Sequence, residues 1–226
     1  MINILKREII ITNDGSTTIH IPEWNEQYHS KHGAIQESKH VFIEKGLYYY
    51  LHNNKASVLN ILEIGFGTGL NAIITLFESN RLQQSIHYTG VEAYPVEMSE
   101  IKKLNYSVQL NCSKKDYHSL HQSPWEEKYS YNDYFSIEKR KQFFSEIEDK
   151  NRYHIVYFDA FGARVQPDLW TESIFIKMYN ALVAGGVLVT YSAKGSVRRA
   201  MQSAGFLVER LPGPPGKREM LRATKI

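Results

Sequence analysis

Hydrophobic positions change period along the chain, and the changes mark out its elements. Residues Glu8–Ile11 and Thr17–Ile21 are short β-branched runs on either side of Asn13-Asp14-Gly15-Ser16, a hairpin signature. After Pro22 the chain is polar and aromatic until SKHVFIEKGLYYYLHNN, where Val41, Ile43, Leu47, Tyr50 and Leu51 share one helical face and Asn53-Asn54 ends it. SVLNILEIGFGTGLNAIITLF then predicts an apolar strand, a glycine turn and an apolar-periodic helix, the opening unit of an α/β sheet. From there the elements alternate. SIHYTGVEAYP predicts a strand ending at Glu92, YHIVYFDAF another, and PDLWTESIFIKMYNALVAGG a helix closing on Gly185-Gly186. GVLVTYSA is a further strand and GSVRRAMQSAG a helix stopped by Gly205, while FLVERL and EMLRATKI flank PGPPGKR as a terminal antiparallel hairpin. SVQLNCSKKDYHSL reads as a helix tail, a short third strand and a turn at Asp116. In residues 121–150, Phe143, Phe144 and Ile147 suggest an amphipathic helix.

A length of 226 residues with 42% hydrophobic and 23% charged positions implies one folded domain with an elaboration and excludes disordered or fibrous classes. We divide the chain into an N-terminal ribbon and helix, residues 1–57, and an α/β domain, residues 58–226. No run approaches the roughly 18 apolar residues of a membrane helix, and the N-terminus lacks the pattern of a secretory signal, so a cytoplasmic protein is expected. The single cysteine, Cys112, excludes an internal disulfide and argues against a cysteine-based zinc or redox centre. Net charge is +3, but residues 190–226 carry eight basic and two acidic side chains, leaving residues 1–189 net acidic. Such asymmetry fits a polyanion-binding face, because phosphate contacts supply most non-specific nucleic-acid affinity. No apolar heptad is present, and a monomer is expected.

The sharpest motif is Glu63-Ile64-Gly65-Phe66-Gly67-Thr68-Gly69, set between the apolar strand and its helix. Glycines there let the backbone come close to a ligand at the C-terminal edge of a sheet. A nicotinamide fingerprint would need a glycine where Leu70 stands, and a P-loop would need Gly-Lys-Ser/Thr. The pattern resembles motif I of class I S-adenosylmethionine-dependent methyltransferases, which implies a Rossmann-like sheet of seven strands with the last antiparallel, here preceded by a β-ribbon and helical lid. At the end of the second strand Glu92 is a bidentate acceptor for two ribose hydroxyls. In the same pattern an acid after the third strand meets the adenine amine, and Asp116 is the candidate. Asp159-Ala160-Phe161 arrives at this edge on the fourth strand, beside the expected methyl group.

Five blocks, YHSKHGAIQESKHVF, LEIGFGTGLN, YFDAFGARVQPDLW, TYSAKGSVRRAMQSAGF and GKREML, together resemble the tRNA 5-methylaminomethyl-2-thiouridine methyltransferase family, the MnmC/MnmD type. The resemblance implies that Gly65, Gly67 and Gly69 form the cofactor loop, that Glu63 before them also binds the cofactor, that Glu92 holds the ribose, and that Asp159 holds the acceptor amine. It also implies that Tyr28, Ser30 and Glu37 close over the methionine end of the cofactor. Where other members have D-x-F-A-P, this sequence has Asp159-Ala160-Phe161-Gly162-Ala163, without the proline. Bifunctional members carry a FAD-dependent oxidase domain after this one, so a sequence ending at GKREMLRATKI is expected to act as the methyltransferase alone.

Methyl transfer from a sulfonium to an amine is an in-line displacement needing proximity, alignment and a neutral nitrogen. The expected reaction is methylation of the 5-aminomethyl group of (2-thio)uridine at the tRNA wobble position. An unstacked base needs aromatic or guanidinium faces and its phosphates need cations, which Phe161, Arg198, Arg199, Lys217 and Arg218 are placed to supply. Trp170 reads as core packing. The competing possibilities are an N-methyltransferase for a small-molecule or protein amine, which makes the basic C-terminal third incidental, and a non-catalytic RNA-binding protein of the same fold.

Overall fold

Side-chain alternation along the strands decides the architecture. The computed structural model describes residues 6–226; residues 1–5, the start of the expected N-terminal elaboration, lie outside the described residues. β1 (Glu8–Ile11), β2 (Thr17–Ile21) and the two-residue β3 (Glu26–Gln27) form a small antiparallel sheet. The main sheet contains β4 (Val58–Ile64), β5 (Ser85–Val91), β6 (Lys128–Ser130), β7 (Phe135–Arg140), β8 (Tyr153–Phe158), β9 (Leu182–Thr190), β10 (Leu207–Pro212) and β11 (Glu219–Thr224), in the order β10-β11-β9-β8-β4-β5-β7-β6. β4, β5, β7, β8 and β9 run parallel, and β11 runs antiparallel to both neighbours. This is the seven-stranded arrangement expected from the sequence, with β6 added as an antiparallel edge strand.

Because residues two apart share a face, Leu59, Ile61, Ile155 and Tyr157 pack under one layer while Leu62, Ile64, Val156 and Phe158 pack under the other. The first layer holds the helix Leu70–Leu82 and a continuous helix over residues 34–53, π-helical across Lys39–Tyr48, which contributes Val41, Phe42 and Leu47 to the same core. The second layer holds the helices Glu172–Ala181 and Gly195–Ser203. Among the described residues no helix is long and apolar enough to cross a membrane.

Three local expectations differ from the structure. SVQLNCSKKDYHSL forms two short helices, Tyr106–Gln109 and Lys114–Gln122, and contains no strand. The third strand of the parallel order is β7, FSIEKR, within the segment expected to be helical. Its alternating charges hide it, because the buried Lys139 satisfies its ammonium on the His121 carbonyl at 2.6 Å and over the Trp125 ring. Gly185-Gly186 does not cap a helix: the helix ends at Ala181, Leu182 already pairs in β9, and Gly185 (φ +72°) sits where the β8–β9 register shifts.

Candidate active site

Register places the chemistry. Ile64 pairs with Val91 on one side and Phe158 on the other, so the residues that follow, Gly65, Glu92 and Asp159, leave the sheet side by side at its C-terminal edge. They open on a cleft of about 1250 Å³, roofed by Ile21, Trp24 and Tyr28 from the N-terminal segment. Gly65, Gly67 and Gly69 all have positive φ, at +88°, +49° and +68°. A Cβ on Gly65 would stand 2.7 Å from the Asp159 carbonyl oxygen, and one on Gly67 would stand 3.1 Å from the Tyr28 ring. Glycine is therefore needed both for the turn and for the close approach. The Glu92 carboxylate accepts from the Gly67 N–H at 3.1 Å and the Tyr94 N–H at 2.9 Å, which fixes it across the cleft floor. Burial raises its pKa above the ordinary carboxylate value, against the backbone N–H groups around it and the charge of Arg7.

The Asp159 side chain is only 6% exposed. Its Oδ2 accepts from Asn71 Nδ2 at 2.8 Å and lies 4.0 Å from His29 Nδ1. Burial, and then the charge of Glu37, push its pKa up to about 7, against the Asn71 hydrogen bond and Lys217. His29 is hydrogen-bonded to Thr68 at 2.7 Å, and burial holds its pKa down at about 4. At neutral pH it faces Asp159 as a neutral ring, so the 4.0 Å approach is no ion pair. Phe161 lies edge-on to Tyr28 (4.9 Å between centroids) and to Trp24 (5.6 Å), giving the cleft an aromatic wall next to Asp159.

Glu37 and Ser30 are buried together, the Ser30 N–H donating to Glu37 Oε1 at 3.1 Å. The other oxygen of Glu37 takes the ammonium of Lys217, which also lies 3.8 Å from the centre of the Tyr191 ring. Lys217 is thus committed to a partner inside the protein, whereas its neighbour Arg218 is exposed. Arg199 is exposed and Arg198 half-buried on the helix that follows β9. Because β9 is parallel to β8 and β11 returns antiparallel, this helix start and the hairpin tip both lie at the C-terminal edge of the sheet. Trp170 is in the core, as expected, with its indole N–H on the Phe161 carbonyl.

Two expected ligands lie elsewhere. Asp116 is in the first turn of the helix Lys114–Gln122, where Tyr131 donates to its carbonyl at 2.9 Å; Tyr131 bonds Phe135 at the start of β7, so Asp116 belongs to the opposite, N-terminal edge of the sheet. At the C-terminal end of β7 the cleft is lined instead by Lys141, Phe143 and Phe144. Glu63 alternates onto the face of Leu59 and Ile61 and is buried beneath the helix Leu70–Leu82, away from the cleft lining. The sequence reasoning missed Trp24, His29 and Asn71. His29 stands inside the quoted YHS block, and Asn71 is the one strongly polar residue in LNAIIT, a buried apolar run.

Comparison with known proteins bears on this geometry. Residues 136–226 match a family described as S-adenosyl-L-methionine-dependent methyltransferase. The chain is 29% identical over 213 residues to the tRNA 5-methylaminomethyl-2-thiouridine biosynthesis bifunctional protein MnmC of Leptospira interrogans serogroup Icterohaemorrhagiae serovar copenhageni (strain Fiocruz L1-130), covering 88% of this chain and 32% of that protein. To the MnmC protein of Hydrogenovibrio crunogenus (strain DSM 25203 / XCL-2) it is 25% identical over 214 residues, covering 87% and 31%. The chain therefore spans about a third of the length of these curated relatives. The crystal structure of MnmC2 from Aquifex aeolicus superimposes with a TM-score of 0.78 at 24% identity, covering 98% of this chain and 71% of that one. In sequence the chain is similar to about a third of these MnmC proteins, and in fold it is similar to MnmC2. A spermidine synthase bound to the transition-state analogue AdoDATO shares the fold more distantly, with a TM-score of 0.60 at 14% identity, covering 99% of this chain and 70% of that one. S-adenosyl-L-methionine is the cofactor of the matched family. The glycine loop of this chain fits it: three positive-φ glycines leave room that a Cβ would fill, and a fixed carboxylate stands at the adjoining strand end.

Proposed function

We propose that this chain transfers a methyl group from S-adenosylmethionine to the 5-aminomethyl group of (2-thio)uridine at the tRNA wobble position, giving 5-methylaminomethyl-(2-thio)uridine. The observation that carries the proposal is that the glycine loop, Glu92 and Asp159 stand abreast in one cleft with an aromatic wall at the Asp159 end. The printed names of the MnmC relatives support the substrate. In this proposal residues 58–226 are the methyltransferase domain, residues 1–57 cover its cleft, and tRNA is the partner.

Bound S-adenosylmethionine supplies an electrophilic methyl group on a sulfonium. Gly65, Gly67 and Gly69 would hold it from the loop, and Glu92 would accept its ribose hydroxyls on the lone pairs left free by its backbone N–H partners. Tyr28, over Gly67, closes the cleft from above. Phe161 and Trp24 stack or wedge the flipped uridine, and Asp159 receives the aminomethyl group. A primary alkylammonium has no lone pair to attack with, so the amine must give its proton to solvent before attack, and a carboxylate beside it then accepts a remaining N–H. Asp159, as a carboxylate, thus captures and orients the amine by accepting its N–H, and then stabilises the cationic secondary amine produced. Arg198, Arg199 and Arg218, at the same sheet edge, meet phosphates of the anticodon arm.

The test is single-turnover methylation with labelled S-adenosylmethionine on bulk tRNA from cells lacking this gene, followed by nucleoside mass analysis and repeated with Asp159→Ala. The expected result is a new methylaminomethyl-uridine that the variant fails to make. Cofactor binding with no methylated tRNA nucleoside would remove the tRNA substrate.

A further inference from the structure

The acid that opens the glycine motif points away from the cofactor cleft, and its contacts lead to the other end of the reaction. Glu63 Oε1 accepts from Asn71 Nδ2 at 2.8 Å, and the same nitrogen donates to Asp159 Oδ2 at 2.8 Å. A primary amide has two N–H bonds, so one goes to each carboxyl group. Ser38 Oγ donates to Asn71 Oδ1 at 2.5 Å, which removes the freedom of the amide to turn over. Ser38, Glu63 and Asn71 are each about 1% exposed, so water does not compete for these bonds.

We propose that Asn71, locked by Glu63 and Ser38, is a positioning residue for methyl transfer, holding the Asp159 carboxylate in the rotamer and the ionised form that receive the acceptor amine. This rests on the proposed role of Asp159. The physical argument concerns where the proton sits. Asp159 faces Glu37 from the helix over residues 34–53, its partner Lys217 from the terminal hairpin, His29 from the segment after β3, Glu63 of β4 and Tyr191 beyond β9. His29 is neutral and Lys217 is spent on Glu37, so the Asn71 N–H is the donor that directly favours ionised Asp159. A carboxyl that kept its proton would donate to the amine nitrogen, occupying the lone pair that must attack the methyl group. Burial holds Glu63 well above the ordinary carboxylate range, toward its neutral form, in which Oε1 still accepts from Asn71. Glutamine can therefore replace Glu63 in this role and alanine cannot.

The experiment uses the full chain with S-adenosylmethionine and tRNA carrying 5-aminomethyluridine at the wobble position, from cells lacking this gene, comparing Asn71→Ala, Glu63→Ala, Glu63→Gln and Asp159→Ala. Cofactor dissociation constants and kcat are measured, with kcat/KM followed against pH. Asn71→Ala is expected to lower kcat by about 10–100-fold, to leave cofactor affinity within about twofold, and to move the acid limb of the pH profile upward by about one unit. Glu63→Ala is expected to lose about tenfold in kcat, and Glu63→Gln to recover most of that loss. A fall in cofactor affinity matching the fall in kcat, with the acid limb unmoved, would overturn the proposal and assign both residues to the cofactor loop. Normal turnover by Asn71→Ala beside an inactive Asp159→Ala would overturn the positioning role alone. An active Asp159→Ala would remove the role of Asp159 on which it rests. If Asn71→Ala does not fold, the Glu63 pair decides, since equal losses in alanine and glutamine contradict the lock.

Discussion

Lys217 can be tested as an internal clamp by replacing it with Gln. The side chain of Glu37 is 6% exposed and that of Lys217 is 29% exposed. Removing one partner of a fully buried pair costs about 3–5 kcal/mol, because the remaining charge is left in a poor solvent. Water reaching Lys217 relieves part of that, and the Ser30 N–H still serves Glu37, so the charge contribution falls to about 2 kcal/mol. Loss of the ammonium from the Tyr191 face adds up to about 1 kcal/mol. A total of about 2–3 kcal/mol corresponds to a Tm lower by about 5–10 °C in a chain of this size. Adding Glu37→Gln removes the bare charge, so the double variant is expected to be more stable than the sum of the singles by about 2 kcal/mol. Thermal and urea unfolding of the four proteins measures this, and tRNA affinity against salt concentration measures the alternative. A coupling below about 0.5 kcal/mol, together with a salt slope reduced by one phosphate contact in Lys217→Gln, would refute the clamp and return Lys217 to the RNA.

Gly65→Ala puts a methyl group 2.7 Å from a backbone oxygen at φ +88°, so it is expected to cost about 2 kcal/mol or more and to weaken S-adenosylmethionine binding at least about tenfold by calorimetric titration; unchanged binding would contradict the close-approach argument. Asp159 carries a folded-state pKa raised to about 7, so between its unfolded value and pH 7 the folded state holds the extra proton and stability falls as pH rises; Asp159→Asn is expected to abolish methyl transfer yet stabilise the ligand-free chain above pH 7 by up to about 4 kcal/mol, seen as a flattened Tm-against-pH curve. His29 and His121 have the opposite sign. Their pKa values are lowered to about 4 and about 3, so the unfolded chain takes up protons first and stability is lost as pH falls below about 6.5; His121→Asn is expected to remove part of that loss in acid melts. Phe161→Ala is expected to raise KM for tRNA about tenfold with little change for the cofactor, and equal effects on both would remove Phe161 from the acceptor side.

Features that depend on neighbours within one element are legible in the residue order. Continuous apolar runs announced β4, β5, β8 and β9, because strands covered on both faces have no polar side. The glycine loop and the strand-end acids Glu92 and Asp159 were legible for a related reason: a parallel strand between helices must deliver its last residue to the ligand-binding edge. The remaining features depend on contacts between distant segments. FSIEKR became a central strand because the fold gave Lys139 a carbonyl and an aromatic ring to bury against, partners about 15–20 residues away that no periodicity reports. Asp116 fell at the wrong end of the sheet because its segment took the helix that precedes β7, not the turn that follows it. Lys217 and Arg218 are adjacent basic residues, yet one is paired with a glutamate 180 positions earlier and the other is in solvent. Asn71 was one polar residue in an apolar helix until β4 and β8, aligned by their register, put a carboxyl group on each of its two N–H bonds. Local pattern fixes which face a side chain takes; the company it keeps there is set by sheet register and helix packing across the whole chain.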